Sequence, residues 1–302
     1  MKTLLIIGGS GFLGGSFFDF FNKNNKSKFN IKKIIFLSRK GKKLGNQINK
    51  KTQFEYKKSD IINLKKLPIC DYIVYAANSA NNKQNIQALK KFNSLLDKRF
   101  LKTKIIFTSS GAVYGYSKNS KSFKENDKII LKNVLRFSGY KKNYALTKIH
   151  MENIIKSIGN DGYRVSICRL FTFFGNRIIS YNKYAISDLI YSANKYNLVK
   201  INNINTFRSY MSSDDMVKWI LKILFSAKTS CPIYNVGSDL PLSMKKLSEM
   251  ILNIKKVKVT FRNQNKNKDY YIPNVAKAKK LLKLKIKDNL FKFLKKEILE
   301  KK

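Results

Sequence analysis

The first fourteen residues, MKTLLIIGGSGFLG, constrain the fold of this chain more than any other stretch. Leu4-Leu5-Ile6-Ile7 is a short apolar run of strand type. Gly8, Gly11 and Gly14 follow at three-residue spacing, and Phe17, Phe18, Phe20 and Phe21 then carry a helical pattern. A strand that turns through spaced glycines into a helix is the setting of a dinucleotide-binding loop. The first glycine permits a sharp turn, the second lets backbone approach a pyrophosphate, and the third lets the helix pack closely on the sheet. The helix N-terminus then directs unpaired N–H groups and its positive dipole end at the phosphates. Ser10, Phe12 and Leu13 ride on the same turn and complete the expected cofactor contacts there.

Apolar residues make up 43% of the 302, enough for a large core and for one domain with a smaller lobe. No run of 18 apolar residues occurs, so no membrane span is expected. The strand-like start runs straight into the glycine turn, and a cleavable leader is not expected. Cys70, Cys168 and Cys231 lie far apart and are odd in number, which favours unbonded cysteines in a reducing, cytoplasmic setting over a disulfide framework or a zinc site. The formal charge is +44, from 62 basic and 18 acidic residues. Such a field attracts polyanions. Only eight of the 62 are Arg, however, and the lysines are spread over the whole length among many Asn and Ile. Phosphate and base recognition leans on Arg forks and clustered patches, so a general compositional bias explains the charge better than a nucleic-acid partner.

Beyond the first helix, Ile31 to Leu37 reads as a second strand ending in Ser38-Arg39-Lys40. An acid at this point suits a free ribose 2′-OH and an Arg suits a 2′-phosphate; with no acid present and Arg rare, Arg39 favours NADP over NAD. Gln53 to Tyr56 is a third strand. Asp60-Ile61 after it has two readings, a contact to an adenine ring or a helix cap by Asp60. Asp71 to Ala77 is a fourth strand whose small terminal residues, Ala76 and Ala77, leave room for a ligand. A helix is expected over Asn82 to Arg99, and a fifth strand over Lys104 to Thr108, followed by Ser109-Ser110-Gly111-Ala112. This alternation predicts a parallel, doubly wound α/β sheet with ligands beyond the carboxyl ends of its strands. A polar loop over Lys118 to Lys128, a helix over Tyr140 to Ile158 and a sixth strand over Tyr163 to Leu170 come next. Further on, helices are expected over Tyr184 to Tyr196, Asp214 to Ala227 and Met244 to Ile254, the last capped by Ser243. Short strands are expected at Ile233 to Val236 and Val257 to Phe261, a solvated loop over Arg262 to Asp269, and closing helical turns over Val275 to Leu282 and Leu290 to Leu299.

Tyr144 and Lys148, four apart, share one helix face. An ammonium beside a phenol favours the phenolate and makes the tyrosine an acid or base near neutral pH. The same lysine can hold ribose hydroxyls, and Ser110 can hold a substrate oxygen and its developing charge. The spacing itself is cheap, since roughly three Tyr-x-x-x-Lys pairs are expected by chance in so Lys-rich a chain. Tyr114/Lys118, Tyr191/Lys195 and Tyr196/Lys200 share it, but only Tyr144/Lys148 opens a helix between the strand-end Ser110 and the sixth strand. His150, the single histidine, is two residues past Lys148 and on another face; it is read as structural, and no multi-histidine metal site is expected.

Six segments, taken together, resemble the extended short-chain dehydrogenase/reductases of the NAD-dependent epimerase/dehydratase family, which act on nucleotide sugars. They are GGSGFLGG, SSGAVYG at 109–115, YALTK at 144–148, RLFTFFGN at 169–176, FRSYMSSDDM at 207–216 and YNVGSDLPLS at 234–243, in the family's order. The resemblance implies a Rossmann-type fold with a dinucleotide-binding domain over 1–170 and returning segments near 209–236. It implies a smaller C-terminal α/β substrate lobe over 171–208 and 237–302. It gives Ser110, Tyr144 and Lys148 the catalytic roles, Gly8, Gly11 and Gly14 the phosphate loop, and Asp60-Ile61 the adenine contact. It adds Phe171 to the cofactor site, and Thr172 and Arg208 to the substrate site, with Arg208 on a diphosphate. It also implies a homodimer through the helices at 82–99 and 140–158.

The sequence departs from the family at Thr172, where Asn is common, and at Ser209 and Ser212, where Asp and His are common. Gly111-Ala112 replace the Asp-Glu that the dehydratases use for water elimination, so 4,6-dehydratase activity is disfavoured. A keto-sugar reductase using NADP is the leading expectation, an NAD-dependent 4-epimerase the second, and a non-catalytic nucleotide- or RNA-binding protein on the same fold the third.

Overall fold

The apolar runs of the first half line up as one sheet. The computed structural model describes residues 2–23, 29–41, 43–116, 122–179, 185–263, 268–287 and 289–300. Strands β1 (Lys2–Ile7), β2 (Ile31–Ser38), β3 (Gln53–Lys58), β4 (Tyr72–Tyr75), β5 (Lys104–Ser110) and β6 (Arg164–Leu170) are interspersed with helices α1 (Phe12–Lys23) after β1, α2 (Asn82–Ser94) after β4, and α3 (Leu131–Leu135) and α4 (Gly139–Asn160) after β5. With a seventh strand at Ile233–Val236, the order across the sheet is Ile233–Val236, β6, β5, β4, β1, β2, β3, and every pairing is parallel. Parallel strands buried on both faces need continuous apolar runs, and β1 supplies one. Leu4 and Ile6 pack on one face with Phe17 and Phe21 of α1, while Leu5 and Ile7 pack on the other with Leu89 and Phe92 of α2 and Met151 and Ile155 of α4. The sheet is thus doubly wound, as the alternation predicts.

The second half is built of shorter pieces: β7 (Phe173–Phe174), α5 (Asn176–Ile179), α6 (Ala185–Tyr196), β8 (Leu198–Asn203), β9 (Thr206–Arg208), β10 (Met211–Ser212), α7 (Ser213–Phe225), β11 (Ile233–Val236), β12 (Leu242–Ser243), α8 (Met244–Leu252), β13 (Lys258–Asn263), β14 (Asp269–Tyr271), α9 (Ala276–Leu282) and α10 (Leu290–Leu299). Ser212 caps α7 by accepting from the Asp215 amide at 3.0 Å, with Asp214 and Asp215 favourably placed in its first turn. α7 then buries Trp219 completely against the sheet face that carries α1. The pairings that matter for the site are those of β9. It takes β12 on one side antiparallel and β14 on the other parallel, so Arg208 lies opposite Tyr271.

Boundaries shift where side chains offer the backbone local partners. The fourth strand ends at Tyr75, and Ala76 closes it by donating to the Ile7 carbonyl at 2.8 Å. The expected helix to Arg99 stops at Ser94; Asp97 then caps a separate turn by accepting from the Arg99 amide at 2.9 Å. The expected solvated loop at 262–269 is strand at its two ends. Arg262 belongs to β13 and Asp269 opens β14, while 264–267 lie outside the described residues. Residues 118–121 of the expected polar loop, and Tyr184, also lie outside them.

Candidate active site

The glycine turn is shaped by backbone meeting backbone. Gly8 has φ +93°, and a Cβ there would stand 2.6 Å from the carbonyl carbon and oxygen of Ala76. The Gly8 and Gly9 amides both donate to the Leu37 carbonyl at 2.9 Å, which hangs the turn from the end of β2. At Gly14 a Cβ would sit 2.0 Å from the Gly9 oxygen. The third glycine therefore seats α1 on the loop's own backbone, a correction to the expectation that it fits the helix to the sheet. Gly11 differs: a Cβ there would meet only the Gly8 oxygen, at an ordinary 3.4 Å. The turn is closed where the chain folds on itself and open at Gly11, beside the N-terminus of α1. These features fit a dinucleotide's pyrophosphate. Phe12 and Leu13 are half-buried and pack on the core, Phe12 with its ring 6.5 Å from that of Phe173.

The other expected cofactor positions lie at neighbouring strand ends. The Ser38 hydroxyl accepts from the Gly41 amide at 3.1 Å, which shapes the turn after β2. Arg39 beside it is exposed, and no described carboxylate pairs with it. Asp60 caps a short 3₁₀ turn by accepting from the Ile62 amide at 3.1 Å, while the Ile61 side chain is buried in the core. Ala76 and Ala77 border Gly8.

The structure brings Ser110, Tyr144 and Lys148 to the carboxyl end of β5. Ser110 is buried and caps the turn Gly111–Tyr114, its Oγ accepting from the Ala112 amide at 3.2 Å. Lys148 is buried and donates to the carbonyl of Thr108, two residues before Ser110, at 3.0 Å. Its Nζ stands 5.7 Å from the ring centroid of Tyr144. Tyr144 is half-buried against the cluster of Ala112, Val134 and Ala145. Burial drives the Lys148 ammonium down to about 8, against an opposing pull from Cys168 and Glu152. The competing pairs have other settings. Tyr191 and Lys195 bond at 2.8 Å on an exposed helix surface, Tyr196 ends α6 while Lys200 lies in β8, and Lys118 lies outside the described residues. His150 is exposed.

Three residues around this centre, Glu152, Tyr271 and Asp269, escaped the sequence reading. Glu152, one turn past Lys148, accepts from Arg169 Nε at 3.0 Å and Nη2 at 2.8 Å, and from Ser109 Oγ at 2.6 Å. This buried group ties α4 to β5 and β6 directly behind Ser110 and Lys148. The i, i+4, i+8 spacing of Tyr144, Lys148 and Glu152, in a chain with few acids, was a usable signal. Tyr271 reaches Ser110, with 3.3 Å between Oη and Oγ. Asp269 holds Arg208 through Nη2 at 2.7 Å, and nothing local in the sequence announces either residue of β14. Phe171 is buried with its ring 4.7 Å from that of Tyr271, and its ring atoms would lie 2.6–2.8 Å from a Cβ at Gly111. Thr172 is half-buried and its carbonyl accepts from the Met211 amide at 3.1 Å.

Comparison with known proteins agrees with this architecture. The model of the NAD dependent epimerase/dehydratase family matches residues 4–237. No curated protein matches the chain. Among solved structures, dTDP-glucose 4,6-dehydratase from Bacillus anthracis in complex with NAD superposes with a TM-score of 0.78 at 18% identity, covering 99% of this chain and 96% of that one. UDP-glucuronic acid 4-epimerase from Bacillus cereus, in complex with UDP-glucuronic acid and NAD, gives 0.75 at 19% identity and 98% coverage of both chains. UDP-glucose 4-epimerase from Thermotoga maritima, with UDP-glucose, gives 0.72 at 18%, covering 98% of this chain and 97% of that one. At these identities the likeness is one of fold.

Proposed function

The chain belongs to the NAD-dependent epimerase/dehydratase family, and from that premise we propose that it catalyses hydride transfer at a carbinol or keto carbon of a nucleotide-linked sugar. The observation that carries this reading is the meeting of Ser110, Tyr144 and Lys148 at the carboxyl end of β5, on the same side of the sheet as the glycine turn after β1. The turn at Gly8–Gly14, with Ser10, Ala76 and Ala77, would hold the dinucleotide. Bound there, a nicotinamide supplies the acceptor or donor of hydride. Tyr144 moves the proton at the sugar oxygen, Lys148 favours the phenolate by its charge, and Ser110 donates a hydrogen bond to the same oxygen. Arg208 would take the diphosphate in place of its half-exposed partner Asp269.

Water elimination is disfavoured because Gly111 and Ala112 follow Ser110 and offer no acid or base for it. Two forms of the chemistry remain. The exposed Arg39 at the end of β2 favours a 4-keto-sugar reductase using NADPH. The 4-epimerases among the structural neighbours, one of them in complex with NAD, favour a redox-neutral 4-epimerase. A homodimer through the outer faces of α2 and α4 belongs to the same proposal. The test is the fluorescence of nucleotide retained by the purified protein, followed by assays against UDP-glucose, UDP-glucuronic acid and a panel of nucleotide-linked 4-keto sugars. Stoichiometric retained NAD with interconversion of UDP-sugars marks the epimerase, and NADPH oxidation by a keto sugar marks the reductase. A protein that neither binds a dinucleotide nor turns over any sugar overturns the proposal.

A further inference from the structure

The hydroxyl of Ser110 has one proton to give and two lone pairs to fill. One lone pair takes the Ala112 N–H at 3.2 Å. The Tyr271 phenol oxygen lies 3.3 Å from the serine oxygen, having come from a strand 161 residues downstream. That phenol oxygen also lies 3.4 Å from the carbonyl oxygen of Leu170. A carbonyl oxygen only accepts, so the single phenol proton has two destinations. Directed at Leu170, it leaves Ser110 to place its own proton on the Tyr271 oxygen. Directed at Ser110, it fills the second lone pair and frees the serine proton for a ligand oxygen.

The phenol keeps its proton at any working pH, because burial pushes its pKa up to about 12 against the opposing pull of Ser110, Arg208 and the Ala112 N–H, which the two oxygens share. Its ring is also held in place. The Phe171 ring packs on it at 4.7 Å, the Arg208 guanidinium lies over it at 5.7 Å, and its backbone pairs with Arg208 across β9 and β14. A rigid neutral phenol with one donor, placed beside a serine with one open lone pair, is able to set which way that serine points.

We infer that Tyr271 is a positioning residue: its O–H occupies the second lone pair of Ser110 and so turns the serine proton onto the oxygen of the reacting sugar carbon. The inference rests on the reading of Ser110 given above. It assigns Tyr271 no contact of its own with the reacting atoms.

The test is a double-mutant cycle of Tyr271→Phe, Ser110→Ala and their combination. It is read as kcat on whichever sugar of the panel the wild type turns over fastest, and as NADH affinity by fluorescence. Tyr271→Phe keeps the ring and its packing, so NADH affinity stays at the wild-type value. The lost hydrogen bond lowers kcat by about tenfold. In the Ser110→Ala background the same substitution has no effect on kcat, because the hydroxyl it orients is gone. A tenfold loss in both backgrounds overturns the inference, since Tyr271 then acts without Ser110. So does a wild-type kcat for Tyr271→Phe. If Tyr271→Phe is normal while Ser110→Ala is crippled, only this inference fails. If Ser110→Ala turns over normally, or no sugar of the panel is turned over, the reading of the site fails with it.

Discussion

Arg169–Glu152 and Arg208–Asp269 are the same chemical pair in two settings. The first has side chains 3% and 1% exposed; the second, 21% and 30%. Arg169 meets its carboxylate through two nitrogens, lies 4.7 Å over the Tyr114 ring, and shares Glu152 with Ser109. Arg208 meets its carboxylate through Nη2 alone, and its Nη1 donates to the carbonyls of Phe207 at 2.8 Å and Asp269 at 3.2 Å. Burial separates their uses. A buried pair cannot release either partner without stranding a charge, so Arg169–Glu152 is a permanent fastening of α4 to the sheet. A pair bordered by water can exchange its carboxylate for another anion at little cost, so Arg208 is available to a ligand.

Substitutions can break this contrast, and the largest effect is expected at the buried pair. Arg169→Met strands the Glu152 carboxylate and should destabilise the protein by about 3–5 kcal/mol, read from urea midpoints. A loss below about 1 kcal/mol would place both pairs in one class.

Lys148 sharpens the contrast, being buried with a carbonyl rather than a carboxylate as its hydrogen-bond partner. Its pKa in the folded protein, about 8, lies below the ordinary 10.5. The folded state therefore disfavours the proton, and this group's contribution to stability rises between about pH 8 and 10.5 and is lost as pH falls through 8. Lys148→Met should be more stable than wild type at pH 7, by up to roughly 3 kcal/mol, and inactive. Thermal melts at pH 7 and above pH 10.5 check the sign, since the advantage should vanish at the higher pH. In the wild type kcat/KM should decline on its alkaline side near pH 8 as the ammonium discharges.

The smallest effect is expected at the half-exposed pair. Asp269→Asn should change stability by less than about 1 kcal/mol. It should also tighten UDP binding, measured by calorimetry, because the competing carboxylate is gone. Weaker UDP binding would show that Asp269 positions Arg208 rather than competing for it.

What the sequence displayed depended on how local the determining forces are. The glycine turn was legible because Gly8 and Gly14 answer to backbone contacts within a few residues or at the adjacent strand end. The sheet was legible because its central strands β1, β4 and β5 are near-continuous apolar runs buried on both faces. Tyr144 and Lys148 could be singled out among four equal spacings only by their place between two strands. Glu152 was within reach, since helical spacing puts it on the same face as Lys148. Tyr271 and Asp269 were not. Their position follows from β14 pairing with β9 across more than sixty residues, in a segment whose Lys and Asn content reads as solvated loop.

The three cysteines carry a practical consequence. All are buried, and burial pushes Cys70 and Cys231 up to about 12 and raises Cys168 as well. Iodoacetamide reacts with an accessible sulfur anion, which the folded chain does not present at neutral pH. Cys168 lies inside β6, while Cys70 and Cys231 flank the starts of β4 and β11. Alkylation of each site followed by mass spectrometry would therefore time the opening of three places in the sheet, without any engineered probe.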